Sequence, residues 1–388
     1  MTDYKPVYLD NNASTAPDPV VVQAVADALS NLSANASSDH GAGRLAREAV
    51  ELARAKVATL CGASTRCVTF TSGATEANQL AFVSLWEGSR SLAPHRTRIV
   101  VAATEHQSVF DAARRLERLG AQVSVLPVKS SGVVDVDRLR QIVDVRTLLV
   151  SVMAANNETG VQAPLVAIGE ICHAAGAYFH SDATQALGRI PFSFESLGAD
   201  LVSLSAHKFH GPKGVGALLV RSGTPLLPTH LGGQEHGLRA GTLNTPGIVG
   251  LGVAAELASS RLTEAIGIAE YRDHLETLVA QLVPSIEVNG ASAPRLPNTS
   301  NIRFLGADGE AVMSSMPDIY CSTGSACTSG LPTPSHVLVA MGLSAEAAHE
   351  CLRFSLSRHT RDEDLRHAAA QIAQAVAYVR AELEGAAQ

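Results

Sequence analysis

Short, almost continuous apolar runs alternate along the first two thirds of the chain with segments whose apolar residues recur at helical spacing. The runs at 67–70, 98–103, 122–128, 147–154, 177–182 and 201–205 predict strands buried on both faces. Between them the pattern predicts helices over 74–86, 107–119, 137–143 and 164–175, with Val109, Ala113 and Leu116 pointing inward from the second. Upstream, a short strand at 7–10 leads into a turn-rich loop, and Pro19 opens a helix to about Leu32. A second helix, 42–60, carries Leu45, Ala49, Leu52, Ala53 and Leu60 as its apolar stripe. This alternation predicts an α/β fold whose mostly parallel sheet is covered on both faces. The run 216–220 follows 201–205 after a link too short for a helical crossover, so an antiparallel strand is expected there. Beyond about residue 260 the order loosens. A helix near 262–282, strands at 286–289, 300–305 and 351–356, and a last helix predict a smaller α+β domain. That last helix carries Leu365, Ala369, Ile372, Val376, Val379 and Leu383 on one face, and Thr360-Arg-Asp-Glu363 reads as its capping box.

At 388 residues the chain exceeds the size at which single cores split, so two domains are expected. Its 46% hydrophobic and 17% charged residues are those of an ordinary globular enzyme. A net charge of -7 argues against direct nucleic-acid binding, which needs a basic patch. No apolar run approaches the roughly 20 residues of a membrane span. The start Met1-Thr-Asp-Tyr-Lys has no signal-peptide pattern, so a cytoplasmic protein is expected. The six cysteines (61, 67, 172, 321, 327 and 351) form no Cys-x-x-Cys, and in a reducing compartment they are expected to be free thiols.

Polar residues collect at the carboxyl ends of the predicted strands, where ligands bind in open α/β sheets. Thr71-Ser-Gly-Ala-Thr-Glu-Ala-Asn78 opens a helix, and its free N–H groups with Ser72 and Thr75 form either a phosphate seat or a simple N-cap. Thr104-Glu-His106, Asn156-Asn-Glu158 and His180-Ser-Asp182-Ala-Thr-Gln185 end three further strands. The run 201–205 hands a His-Lys pair to the turn Phe209-His-Gly-Pro-Lys-Gly. Only five of the thirty basic residues are lysines, and Lys208 is the one at a buried strand end. Desolvation there would lower its pKa and make the amine nucleophilic; a lysine snorkelling from a strand end is the alternative. Singly, each of these ends could be a helix cap, and five at one sheet edge are hard to obtain by accident. Pyridoxal phosphate explains the set: it needs a phosphate seat, an amine and a carboxylate at its ring nitrogen, with His106 available to plate the ring. The rival motifs fail. Gly41-Ala-Gly43-Arg-Leu-Ala46 follows no strand, no P-loop is present, and His207 and His210 lack the spacing of a helical zinc pair, so no metal site is expected.

Thr71-Ser-Gly-Ala-Thr-Glu, Thr104-Glu-His, Asn156-Asn-Glu-Thr-Gly, Asp182-Ala-Thr-Gln and Ser205-Ala-His-Lys together resemble the cysteine desulfurases, class V pyridoxal enzymes of fold type I. Gly232-Gly-Gln-Glu-His-Gly, Arg239-Ala-Gly-Thr242, Ser322-Thr-Gly-Ser-Ala-Cys327-Thr-Ser-Gly and Arg353-Phe-Ser-Leu-Ser-Arg extend the likeness, in order, over nearly the whole chain. The Ser-Gly-Ser-Ala-Cys type of loop is similar to that of the housekeeping and nitrogen-fixation branch. The resemblance implies a seven-stranded, mostly parallel sheet in a large domain, 16–258. It also implies a small domain, 1–15 and 259–388, that carries the catalytic cysteine loop.

By that resemblance Lys208 forms the Schiff base with the cofactor, Asp182 pairs with the pyridine nitrogen, Gln185 bonds the ring oxygen and His106 stacks and moves protons. Ala74, Thr75, Ser205 and His207 belong to the phosphate side of the cofactor site. Thr242 reaches the phosphate of a neighbouring subunit, which implies a homodimer. Asn157, which also belongs to the cofactor site, and Arg353 hold the substrate carboxylate, with Asn35 a further substrate contact; Ala36 stands where the family has proline. Cys327 takes sulfur from L-cysteine as a persulfide, alanine leaves, and an acceptor protein collects the sulfur. Iron–sulfur cluster assembly, tRNA thiolation and DNA phosphorothioation are the implied destinations, with an iron–sulfur protein among the candidate acceptors. Pro332 and Pro334 predict a stiff Cys327 loop. An aminotransferase or a selenocysteine lyase would share Lys208 and Asp182, and an aminotransferase would not need Cys327. A scaffold without turnover would need none of the set.

Overall fold

The structure is a computed structural model that describes residues 6–324 and 333–386. Cys327, Pro332 and the stiffness expected of their loop lie outside the described residues. The first part of the chain forms β1 (Val7–Tyr8), α1 (Pro19–Asn31), α2 (Gly41–Cys61), β2 (Val68–Thr71), α3 (Ala74–Ser89), β3 (Arg98–Ala102), α4 (Gln107–Arg118) and β4 (Gln122–Leu126). Then come α5 (Val136–Ile142), β5 (Thr147–Ser151), α6 (Leu165–Ala174), β6 (Tyr178–Asp182), β7 (Leu201–Ser205), β8 (Gly216–Val220) and α7 (Thr245–Ser260). The remainder forms α8 (Ala265–Leu282), β9 (Ile286–Val288), β10 (Thr299–Phe304), α9 (Gly309–Ser314) and β11 (Ile319–Tyr320), then α10 (His336–Ala340), α11 (Ala345–His349), β12 (Cys351–Ser355) and α12 (Asp362–Ala386).

Among the described residues the large sheet has seven strands in the order β2-β8-β7-β6-β5-β3-β4. β8 runs antiparallel to β7 and β2, as the short link before it requires, and the other pairs are parallel. The sheet is therefore the expected mostly parallel one. Strand order reverses between β3 and β5, so the loops after these strands diverge and open a crevice at their carboxyl ends.

Two apolar clusters cover the sheet, and a separate core lies between β9, β10 and β12 and the helices α8 and α12. The segment 7–9 belongs to that second core: β1 pairs in parallel with β11, and Val7 and Leu9 are buried there. No helix among the described residues is long and apolar enough to cross a membrane.

Three local expectations need correction. The apolar face of α2 is not the Leu45–Leu52 stripe, since both leucines are more than half exposed. The buried face is Ala46, Val50, Ala53, Val57, Ala58 and Cys61, made of smaller residues because α7 lies close against it. A Cβ on Gly252 of α7 would sit 2.6 Å from Ala53 Cα, so the backbones approach more closely than leucines permit. α7 itself was not expected, because its glycines weaken the helical signal. Finally, Thr360 does not cap α12. Its Oγ1 accepts from Ser357 N–H, and Asp364 accepts the N–H of Arg361 instead.

Candidate active site

A cavity of about 710 Å³ opens at the carboxyl ends of the central strands, and Ala74, Thr75, His106, Asn157, Asp182, Gln185, Ser205, His207, Lys208 and Arg353 all line it. Of the residues expected at the site, Asn35 and Thr242 do not line it. Both are exposed on other loops of the chain. His180 also lies elsewhere: it is wholly buried one pleat below Asp182, between Ser151 Oγ at 2.9 Å and Ser203 Oγ at 3.0 Å.

One wall is the start of α3. Gly73 is its N-cap and provides no side-chain cap, so the first amides of the helix keep their hydrogens for a ligand. Gly216 of β8 makes room for this turn: a Cβ there would lie 2.7 Å from Gly73 Cα and 2.4 Å from Leu204 O. Glu76 reaches back to Ser72 N–H at 2.6 Å, and Arg239 neutralises it with an Nε–Oε1 bond of 2.7 Å. Around this helix end stand the Thr75 and Ser205 hydroxyls and His207. Burial, together with the charges of Lys208, Lys213 and Arg189, pushes His207 down to about 4. It is thus a neutral donor or acceptor at pH 7. An uncapped helix N-terminus with hydroxyl donors fits a phosphate.

Lys208 follows β7 in a single 3-10 turn. Its Nζ donates to the carbonyls of Asn12 at 2.6 Å and Ala13 at 2.9 Å. Burial pushes the amine down to about 8, and Arg189 and Arg353 add to the effect against the opposing pull of Asp182 and Asp10. Arg189 was missed in the sequence. It is buried behind the lysine, donating to Lys208 O at 3.1 Å, to Asn11 O at 3.2 Å and to Gln185 Oε1. Gln185 accepts that bond and gives one amide hydrogen to Asn12 O at 2.9 Å. Its second amide hydrogen is left for the cavity.

Asp182 ends β6 with Oδ1 accepting from Thr184 N–H and Oδ2 accepting from Asn78 Nδ2, both at 2.9 Å. His106 caps α4 through Nδ1, which accepts from Ser108 N–H at 3.1 Å, and its ring faces the cavity. The cap and the cavity wall are therefore the same residue. Arg353, on β12, bonds Asp10 Oδ1 at 2.6 Å and Asn157 O at 3.1 Å. Its Nε is buried without a partner among the described residues, while the side chain as a whole lines the cavity. Glu158 lies against Gly324, where an added Cβ would sit 2.7 Å from its Oε2. Burial pushes it up to about 7, and it accepts from Ser335 Oγ at 2.5 Å.

A half-buried amine of lowered pKa, a carboxylate and a phosphate seat in one cavity of an α/β sheet define a pyridoxal-phosphate-dependent enzyme. The aminotransferase class-V family pattern matches residues 7–367, and the chain belongs to that family. Its relatives place it among the cysteine desulfurases. The cysteine desulfurase IscS of Rickettsia akari is 41% identical over 370 residues, 94% of this chain and 89% of its own length. A solved NifS-like protein superposes with a TM-score of 0.88 at 35% identity, covering 96% of this chain and all of its own. DndA from Streptomyces lividans superposes with a TM-score of 0.76 at 34% identity, covering 92% of this chain and 99% of its own.

Proposed function

We propose that the chain takes sulfur from L-cysteine, releases L-alanine and carries the sulfur as a persulfide on Cys327 to an acceptor protein. One observation carries this reading: Ser322 and Gly324, just before Cys327 in the chain, line the same cavity as Lys208. When bound, pyridoxal phosphate supplies an electron sink that labilises the bonds at the amino acid's Cα. The chain's residues do the rest. The α3 amides, Thr75, Ser205 and His207 would hold the phosphate, and Asp182 would pair with the ring nitrogen. Lys208 would hold the cofactor, and its amine, of lowered pKa, would serve to move the Cα proton. The Arg353 guanidinium and Asn157 would receive the substrate carboxylate. With purified protein, L-cysteine and a reductant, equal release of sulfide and alanine is expected. A keto acid without sulfide would make the chain an aminotransferase instead.

Only the unprotonated amine reacts with the cofactor's aldehyde. Uptake of pyridoxal phosphate by apoprotein is therefore expected to rise with pH through a midpoint near 8. An ordinary lysine would place that midpoint at about 10.4. Arg189→Gln removes a neighbouring cation, so the midpoint moves upward. Stopped-flow absorbance across pH measures both, and an unmoved midpoint would count against the role of Arg189.

The acceptor is a protein, since the net charge of -7 disfavours direct contact with nucleic acid. Likeness to DndA supports a place in DNA phosphorothioation beside iron–sulfur cluster assembly. A homodimer fits the surface: α1 and α2 leave Val20, Val22, Leu29, Leu45 and Leu52 more than half exposed. In that dimer Thr242, exposed here, serves the neighbour's phosphate. Light scattering is expected to give twice the chain mass, and a monomeric mass would remove Thr242 from the site.

A further inference from the structure

Asn78 is wholly buried in α3, two elements away from the imidazole it affects. Its amide nitrogen donates twice, to Asp182 Oδ2 and to Ser108 Oγ, each at 2.9 Å. Ser108 Oγ in turn lies 2.8 Å from His106 Nδ1. Hydrogen counting gives every bond in this chain a direction. A carboxylate only accepts, so Asn78 must turn its NH₂, not its oxygen, toward Asp182. Both amide hydrogens are then used. Ser108 Oγ accepts one of them, and its own hydrogen goes to His106 Nδ1. That nitrogen also accepts from Ser108 N–H, so in the neutral ring the hydrogen sits on Nε2. Nε2 has no partner among the described residues.

The cost of the arrangement is visible. Asn78 Oδ1 is buried with no hydrogen-bond partner. An orphaned buried acceptor is unfavourable, and a side chain that served packing alone would not need an amide here. What the amide achieves is a bridge from the end of β6 to the start of α4.

We infer that Asn78, acting through Ser108, is a positioning residue that holds Asp182 and His106 as one unit. The carboxylate and the imidazole that face the pyridoxal ring thereby keep a set distance and a set hydrogen pattern. The inference rests on the cofactor site proposed above, and on no part of the sulfur chemistry.

The test is a double-mutant cycle in pyridoxal phosphate affinity, with Asn78→Ala, Ser108→Ala and the pair, alongside the pH titration of the bound cofactor's visible absorbance. Asn78→Ala is expected to weaken binding about tenfold, the ordinary effect of losing a hydrogen bond to a charged group. Ser108→Ala is expected to weaken it by about threefold, and the double variant to match Asn78→Ala within about twofold, because the bridge acts as a unit. Both single variants are expected to shift the absorbance titration in the same direction, which a loss of packing would not do. Single effects that multiply in the double variant, or a titration unmoved in all three, would overturn the inference. Ser108→Ala removes one oxygen from a helix, so it keeps the test open where Asn78→Ala does not fold. There, recovery of affinity by Ser108→Thr is expected, and equal affinities of the alanine and threonine variants would sink the idea. Wild-type protein that takes up no pyridoxal phosphate would instead sink the cofactor site itself.

Discussion

Lys208→Ala is expected to abolish stable cofactor binding and to lower sulfide release from L-cysteine by roughly 10³-fold or more, the combined loss of a covalent anchor and a proton carrier. The argument is geometric first. Among the described lysines Lys208 alone combines a strand-end position, partial burial and a place in the cavity beside Asp182. Lys213 also lines the cavity, but on the glycine-rich turn that follows. Electrostatics then make the amine usable, since burial and Arg189 hold it at about 8. Fold loss is not expected. A partly desolvated cation of lowered pKa opposes folding at neutral pH, and its removal leaves only two carbonyls at a cavity wall without that donor. Turnover and thermal melting of the apoprotein measure the two parts. A variant that melts normally and still turns over would remove Lys208 from the chemistry.

Cys327→Ala is expected to keep the yellow, cofactor-loaded protein while sulfide and persulfide fall below detection. The residues proposed to hold the cofactor come from β2, β3, β6, β7 and the loops after them, and residue 327 is not among them. No neighbouring thiol can substitute. Cys321, six positions earlier, is pushed up to about 12 by burial, as are Cys172 and Cys351. An unperturbed thiol near 8.5 already has a few per cent thiolate at neutral pH, so a modest local pull suffices for Cys327. Mass spectrometry of the protein after brief exposure to L-cysteine reads the persulfide directly. A persulfide on another cysteine in the variant, with sulfide still released, would overturn the assignment.

The class of fold and most of the cavity wall were legible in the chain because two simple rules apply to them. A strand covered on both faces must be apolar throughout, so polar residues stand out where it ends. Those ends are also where an open α/β sheet binds ligands. Thr75, His106, Asn157, Asp182, Ser205 and Lys208 could therefore be placed at one edge before any of their contacts were known.

Other features depend on which elements become neighbours, and that is decided between residues far apart in the chain. Leu45 and Leu52 form a good helical stripe, yet α7 approaches so closely that the smaller face of α2 turns inward. Asn78 looks like one more polar residue in a helix start. Only packing of α3 against β6 and α4 brings its amide to Asp182 and Ser108, 104 and 30 positions away. Arg189 and Asp10 find Lys208 and Arg353 in the same manner. The sequence by itself determined the alternation of strands and helices and the chemistry offered at the strand ends, because both follow from local solvation. The tertiary structure alone decided which helix face is buried and which polar groups complete one another's hydrogen bonds, because those depend on distances that local patterning does not encode.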